Sequence, residues 1–211
     1  MTTEATGLYW RWVLACTVGE LIGFFGLPVL GGMTVLWLTE GIDPFARSIV
    51  LYLMAAAGGL GEGAILAFFQ VHILRLRWPA LNTRRWIIYT AVAASIAWLC
   101  GMLSPLLDDL MGLSAAVQIA IWLPAGTIIV FSIGTAQSRV LSDVVSRPRR
   151  WITANVMGWL LGLPWTFVLP AMLPESAPLT VWAIVFFVAA ALMGLTVGLV
   201  TGTQVLRLQD R

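Results

Sequence analysis

The chain has 211 residues, 60% of them hydrophobic and only 10% charged, against roughly 25% charged in ordinary soluble domains. A net charge of +2 is too small to draw nucleic acid, and two cysteines are too few for a structural zinc or an iron–sulfur centre. What remains is a chain that needs lipid as a solvent, so no metal is expected and no cofactor is specified.

In chain order, apolar stretches lie at 8–30, 47–74, 85–105, 113–141, 151–172 and 179–206. Each matches or exceeds the ~20 residues an α-helix needs to cross a ~30 Å hydrocarbon core. Lipid cannot hydrogen-bond an open backbone, and nothing alternates as barrel strands would. The expected fold is an all-α integral membrane protein with six transmembrane helices in a single domain over 1–211.

The first stretch is interrupted by Cys16, Gly19 and Glu20 and has no small-residue cleavage site, so it reads as a retained helix rather than a signal peptide. The connection 31–46 is apolar in its first half. It either prolongs the first span past a kink at Pro28 or lies along the interface. Cys16 and Cys100 differ in depth by about 15 Å at 1.5 Å per residue, too far for a disulfide.

Orientation follows from arginine, the only basic residue type in the chain. Arg75, Arg77, Arg84 and Arg85 join spans two and three, Arg139, Arg147, Arg149 and Arg150 join four and five, and Arg207 and Arg211 lie in the tail. By the positive-inside rule these segments and both termini are cytoplasmic, in what reads as a bacterial inner membrane. The opposite loops carry Glu40, Asp43, Asp108, Asp109 and Glu175, with Arg47 as their only basic residue. Trp10, Trp12, Trp78, Trp86 and Trp151 at one level, and Trp37 and Trp182 at the other, read as headgroup anchors.

The sequence also repeats. Gln70, Gln137 and Gln204 are spaced 67 residues apart twice in succession, each followed four residues later by leucine. Trp12, Trp86 and Trp151 each open an odd span, with small residues seven and eleven positions later: Gly19 and Gly23, Ala93 and Ala97, Gly158 and Gly162. Such small-xxx-small faces let helix backbones approach closely, and Gly194, Gly198 and Gly202 extend the pattern to the last span. Three tandem helical hairpins are therefore expected, at about 8–75, 85–142 and 151–208. With an even number of spans each, they would share one orientation and a pseudo-threefold axis along the membrane normal.

Against this repeat, Glu20 and Glu62 stand out. Glu20 lies eight residues past Trp12 and Glu62 thirteen before Arg75, so both reach the middle of the first hairpin. An ionisable group there is expensive and faces a partner. Repeats two and three place Ala94 and Trp159, and Ile129 and Thr196, at the equivalent positions. Two carboxyls can share a proton or hold a cation; the plainer reading has both protonated and bonded between helices. Gln70, Gln137 and Gln204 are candidates for a polar ring binding a ligand, or for bridges between helices. His72, the only histidine, is an interfacial polar residue, with a proton relay or a tetrapyrrole ligand as the sharper alternative. Arg75, Arg77, Arg84, Arg85, Arg147, Arg149 and Arg150 form a basic rim that sets topology or meets anionic lipid or a partner.

No nucleophile elbow, HExxH, phosphate loop or Cys/His ligand pair is present, so nothing supports an enzyme. The preferred reading is a non-catalytic membrane subunit or binding module, packing against membrane partners or holding a lipid or pigment. The alternative is a small transporter or channel using Glu20 and Glu62, for which the other repeats offer only Gln118, Thr127, Asn155 and Thr196. A lipid-modifying enzyme with the carboxyls as acid and base comes third.

Overall fold

The computed structural model describes residues 3–174 and 176–211; Glu175 lies outside the described residues. The protein is all-helical. Among the described residues, six helices are long and apolar enough to cross a membrane: Thr3–Leu38, Pro44–Arg77, Thr83–Met111, Ala115–Leu141, Arg149–Ala171 and Leu179–Arg207. A lipid bilayer is the environment they suit.

The first span is longer than its apolar core suggests. α1 (Thr3–Glu20) passes into a π-helical segment (Leu21–Val29) and then into α2 (Leu30–Leu38). Pro28 lies within the π-helical segment and has no backbone N–H, and the Leu30 amide reaches the carbonyl of Phe25, five residues back. The helix therefore runs through Pro28, and its apolar continuation stays helical until the turn at Gly41, φ 84°.

α3 (Pro44–Arg77) starts with Asp43, whose side chain accepts from the Ala46 amide at 3.1 Å, and with Pro44 in its first turn. α4 (Thr83–Met111) is capped by Asn82, accepting from the Arg85 amide at 2.9 Å, and stops at Gly112, φ 62°. α5 (Ala115–Leu141) follows; α6 (Arg149–Gly162) and α7 (Pro164–Ala171) make the broken fifth span; α8 (Leu179–Arg207) is the sixth.

Each span packs on the next, and α8 packs on α1, so the six close into a ring in chain order. Glycine sets the approach. A Cβ on Gly194 would sit 2.9 Å from Thr17 Cα, one on Gly63 2.8 Å from Ala91 Cα, and one on Gly19 3.0 Å from Leu66 Cα. Lipid gives helices no hydrophobic reason to associate, so these backbone contacts supply the dispersion energy that joins them. The outward faces, including Leu14, Leu53, Ile119, Leu123 and Ile184, are exposed and apolar.

The arginine-bearing segments lie at one end. Arg77 donates to the carbonyls of Leu206 (3.3 Å) and Leu208 (2.6 Å), Arg85 pairs with Asp143 at 2.6 Å, and Arg211 donates to the carbonyl of Ser142 at 2.9 Å. Trp78 donates to Asp210 at 2.7 Å, so the tail is fastened to both neighbouring loops. At the opposite end, Asp108 caps its own turn through the Leu113 amide at 2.9 Å, and Asp109 accepts from Ser48 at 3.0 Å.

Candidate functional site

Two buried polar layers cross the ring. The one nearer the arginine end is built from tryptophan and glutamine. Trp12, Trp86 and Trp151 are fully buried, and their rings meet edge-on, Trp12 5.6 Å and Trp86 6.2 Å from Trp151. This corrects their reading as headgroup anchors: they point inward, whereas Trp10 and Trp37 are 55% and 71% exposed. Trp10 and Trp12 differ by about 200° around a 3.6-residue helix, so they take opposite faces.

Gln137 makes three hydrogen bonds within this layer. Its amide donates to Gln70 at 2.9 Å and to Thr90 at 3.1 Å, and its carbonyl accepts from Trp151 at 2.9 Å. Gln70 in turn donates to the Cys16 thiol at 3.6 Å, and Trp12 donates to Thr201 at 2.9 Å. Gln204 does not join: it is half-buried, and its amide nitrogen has no hydrogen-bond partner among the described residues. The structure thus brings two of the three glutamines together, as bridges between α3, α4, α5 and α6.

His72 sits outside both layers. It is exposed, its ring lies 4.4 Å from that of Phe68, and its Nδ1 donates to the Phe68 carbonyl at 2.6 Å. Arg75, Arg84, Arg147, Arg149 and Arg150 are exposed at the arginine end, while Arg77 and Arg85 are partly buried in the contacts given above.

The second layer lies deeper and contains the carboxyls. Glu20, the last residue of α1, is completely buried, and Glu62 on α3 is 6% exposed. Gly23, one turn after Glu20, lies against the backbone and Cγ of Glu62, which makes the two carboxyls neighbours across this seam. The backbone explains the meeting: a Cβ on Gly23 would lie 3.1 Å from Glu62 Cα, and one on Gly194 2.9 Å from Glu20 Cβ, so α1 has no side-chain bulk between it and either neighbour here. From α4, the Trp98 indole donates to Glu62 Oε2 at 2.5 Å, and its ring lies 5.9 Å from that of Phe24.

Among the described residues, neither oxygen of Glu20 has a hydrogen-bond donor. Two ionised carboxylates offer each other only acceptors, so their contact becomes a hydrogen bond only when one carries a proton. Unit charges 4 Å apart repel by about 4 kcal/mol at an effective dielectric constant of 20, on top of the desolvation each suffers in hydrocarbon. Chemically, two such carboxyls can accept a proton or a cation between their oxygens. Trp159, 5% exposed, is a further buried group whose indole nitrogen lacks a partner, and it packs in one cluster with Phe24, Leu66 and Met193.

Trp98 is the site residue that sequence reasoning missed, and a signal for it exists. Glu62 lies thirteen residues before Arg75, and Trp98 thirteen after Arg85, which gives equal depth on adjacent antiparallel helices. Two surface clefts lie elsewhere: one lined by Thr6, Tyr9, Trp10, Thr203, Leu206 and Arg207, the other by Ile22, Ala64, Ile65, Phe68, Phe69 and Ile87. Among the described residues, no group of three or more His, Cys, Asp or Glu side chains is placed to hold a metal ion. No protein-family model matches the sequence, and neither a curated protein nor a solved structure shows significant similarity to it.

Proposed function

We propose that the protein is a non-catalytic membrane binding module, a ring of helices that holds a positively charged ligand between Glu20 and Glu62. The observation that carries this reading is the Glu20 carboxyl, fully buried with both oxygens unpartnered. A polar group in that position is expected to have a partner. Its neighbours are the acceptor Glu62 and the backbone at Gly194, so the complement it lacks is a proton or a cation. Trp12, Trp86 and Trp151 fill the centre on the arginine side, which favours holding a ligand over conducting a stream of them.

In this reading the ring consists of three hairpin repeats about a pseudo-threefold axis, set in a bacterial inner membrane with the arginine end cytoplasmic. Its support is the glutamine spacing, the burial of one tryptophan from each hairpin in a common core, and the arginine bias. Membrane partner subunits and lipids meet it on the exposed apolar faces. A second reading, a small transporter working the same pair, draws on one observation: Glu20 leads directly into nine π-helical residues, and wide turns of this kind recur at functional sites.

The test is cation binding by the detergent-purified protein, followed by calorimetry and thermal unfolding with sodium, potassium and tetraphenylphosphonium. One site per chain is expected for at least one of them, with about 2.7 kcal/mol of added stability at a hundred times Kd. The Glu20→Gln/Glu62→Gln double variant should keep its folded yield and lose the site. Binding that survives in that variant, or no binding by the wild type, would show the reading to be wrong.

A further inference from the structure

Resting on the reading of Glu20 and Glu62 as a binding site, the geometry also points to what occupies it before a ligand arrives. Four elements surround the pair. α1 contributes Glu20 and, one turn earlier, the Cys16 thiol, which accepts from Gln70. α3 contributes Glu62, α4 the neutral donor Trp98, and α8 the backbone at Gly194. Among the described residues, no arginine or histidine is one of these neighbours, so none of them supplies the compensating positive charge.

The packing is also tight. Gly23 already stands at backbone contact with Glu62, Gly194 stands against Glu20 Cβ and the backbone of Thr17 and Cys16, and Glu20 has no exposed surface. A proton is the one positive species that needs no added volume. Its place follows from the donors: Glu62 accepts from Trp98, whereas Glu20 receives nothing. A proton on Glu20, donated to Glu62, gives every close oxygen pair one donor and one acceptor.

We propose that the resting site holds a single proton on Glu20, hydrogen-bonded to the carboxylate of Glu62, and that a binding cation displaces it. The step balances: the Glu20 O–H bond breaks, the proton leaves to water, and the cation takes its place between two carboxylates, with the total charge of the site unchanged. Binding to the module is then exchange, one proton out for each monovalent cation in. The wide-turn segment after Glu20 is the part of the first span able to yield as the larger ion enters.

The test is infrared counting of protonated carboxyls in the purified wild-type protein, with the double Gln variant as blank and sodium as the displacing ion. The expected result is a carbonyl stretch worth one carboxylic acid per chain, shifted in D2O. It should disappear as sodium saturates, with one proton released per chain to a pH indicator. The D2O shift identifies the band in the wild type alone, so the count stands even if the variant folds poorly. No protonated carboxyl, with stoichiometric sodium already bound, would overturn the proton and leave the binding site in place. Two protonated carboxyls and no cation uptake would overturn both. A band that persists while sodium binds would overturn the exchange alone.

Discussion

The two buried polar layers differ in how far they satisfy themselves. In the tryptophan–glutamine layer, Gln137 finds three partners on α3, α4 and α6, and Trp12 finds Thr201 on α8. In the carboxyl layer, Glu62 has Trp98, while Glu20 has no donor at all. Glu20 is buried as completely as Gln137, so burial does not distinguish the layers. A closed network fixes helices in place, whereas an open one stays available to something the chain does not supply.

That contrast can be broken by substitution. The largest loss should come from the packing that underlies both layers. Gly63→Leu drives a side chain into the Ala91 backbone, 2.8 Å from where its Cβ would stand, and should cost about 3 kcal/mol or more. Folded yield after detergent extraction would fall to little or nothing.

Next comes the closed layer. Gln137→Leu leaves Gln70, Thr90 and Trp151 each short of a partner. Buried groups left unpaired cost about 1–3 kcal/mol, but membrane hydrogen bonds average nearer 0.6 kcal/mol because the groups re-pair. A loss of about 2 kcal/mol is expected in unfolding by denaturant, with cation binding per folded molecule unchanged.

The open layer should behave in the opposite way. Replacing Glu20 and Glu62 by Gln keeps the shape, adds donors and removes charge from the core, so stability should hold within about 1 kcal/mol or rise while binding disappears. Trp98→Phe removes the indole donor to Glu62, and should change cation affinity with folding nearly intact. Smallest of all, His72→Ala touches neither layer and should stay within about 0.5 kcal/mol in the same unfolding assay.

Much of the fold is legible in the sequence because lipid imposes it. Apolar length alone places the six spans, and arginine alone groups the loops that the structure ties together through Arg77, Arg85 and Arg211. The ends of spans are less legible. The first runs to Leu38 because nothing between Pro28 and Thr39 forces the backbone out of a helix. The facing of Trp12, Trp86 and Trp151 was hidden for a related reason: composition gives a residue's depth, not its azimuth, and an inward tryptophan at headgroup level looks like an anchor. Glu20 and Glu62 were visible because a charge in the middle of a span has no cheap explanation. Trp98 was not, since an indole in an apolar helix is ordinary until its depth is matched to Glu62 across the hairpin.

One crossed measurement tests the difference between the layers most directly: folded yield and cation stoichiometry, determined together for Gln137→Leu and for the Glu20→Gln/Glu62→Gln variant. The expected result is that the first loses yield and keeps one bound cation per folded chain, while the second keeps its yield and binds none. A double variant that fails to fold, or one that folds and still binds, would contradict the assignment of structure to the glutamine layer and ligand to the carboxyls.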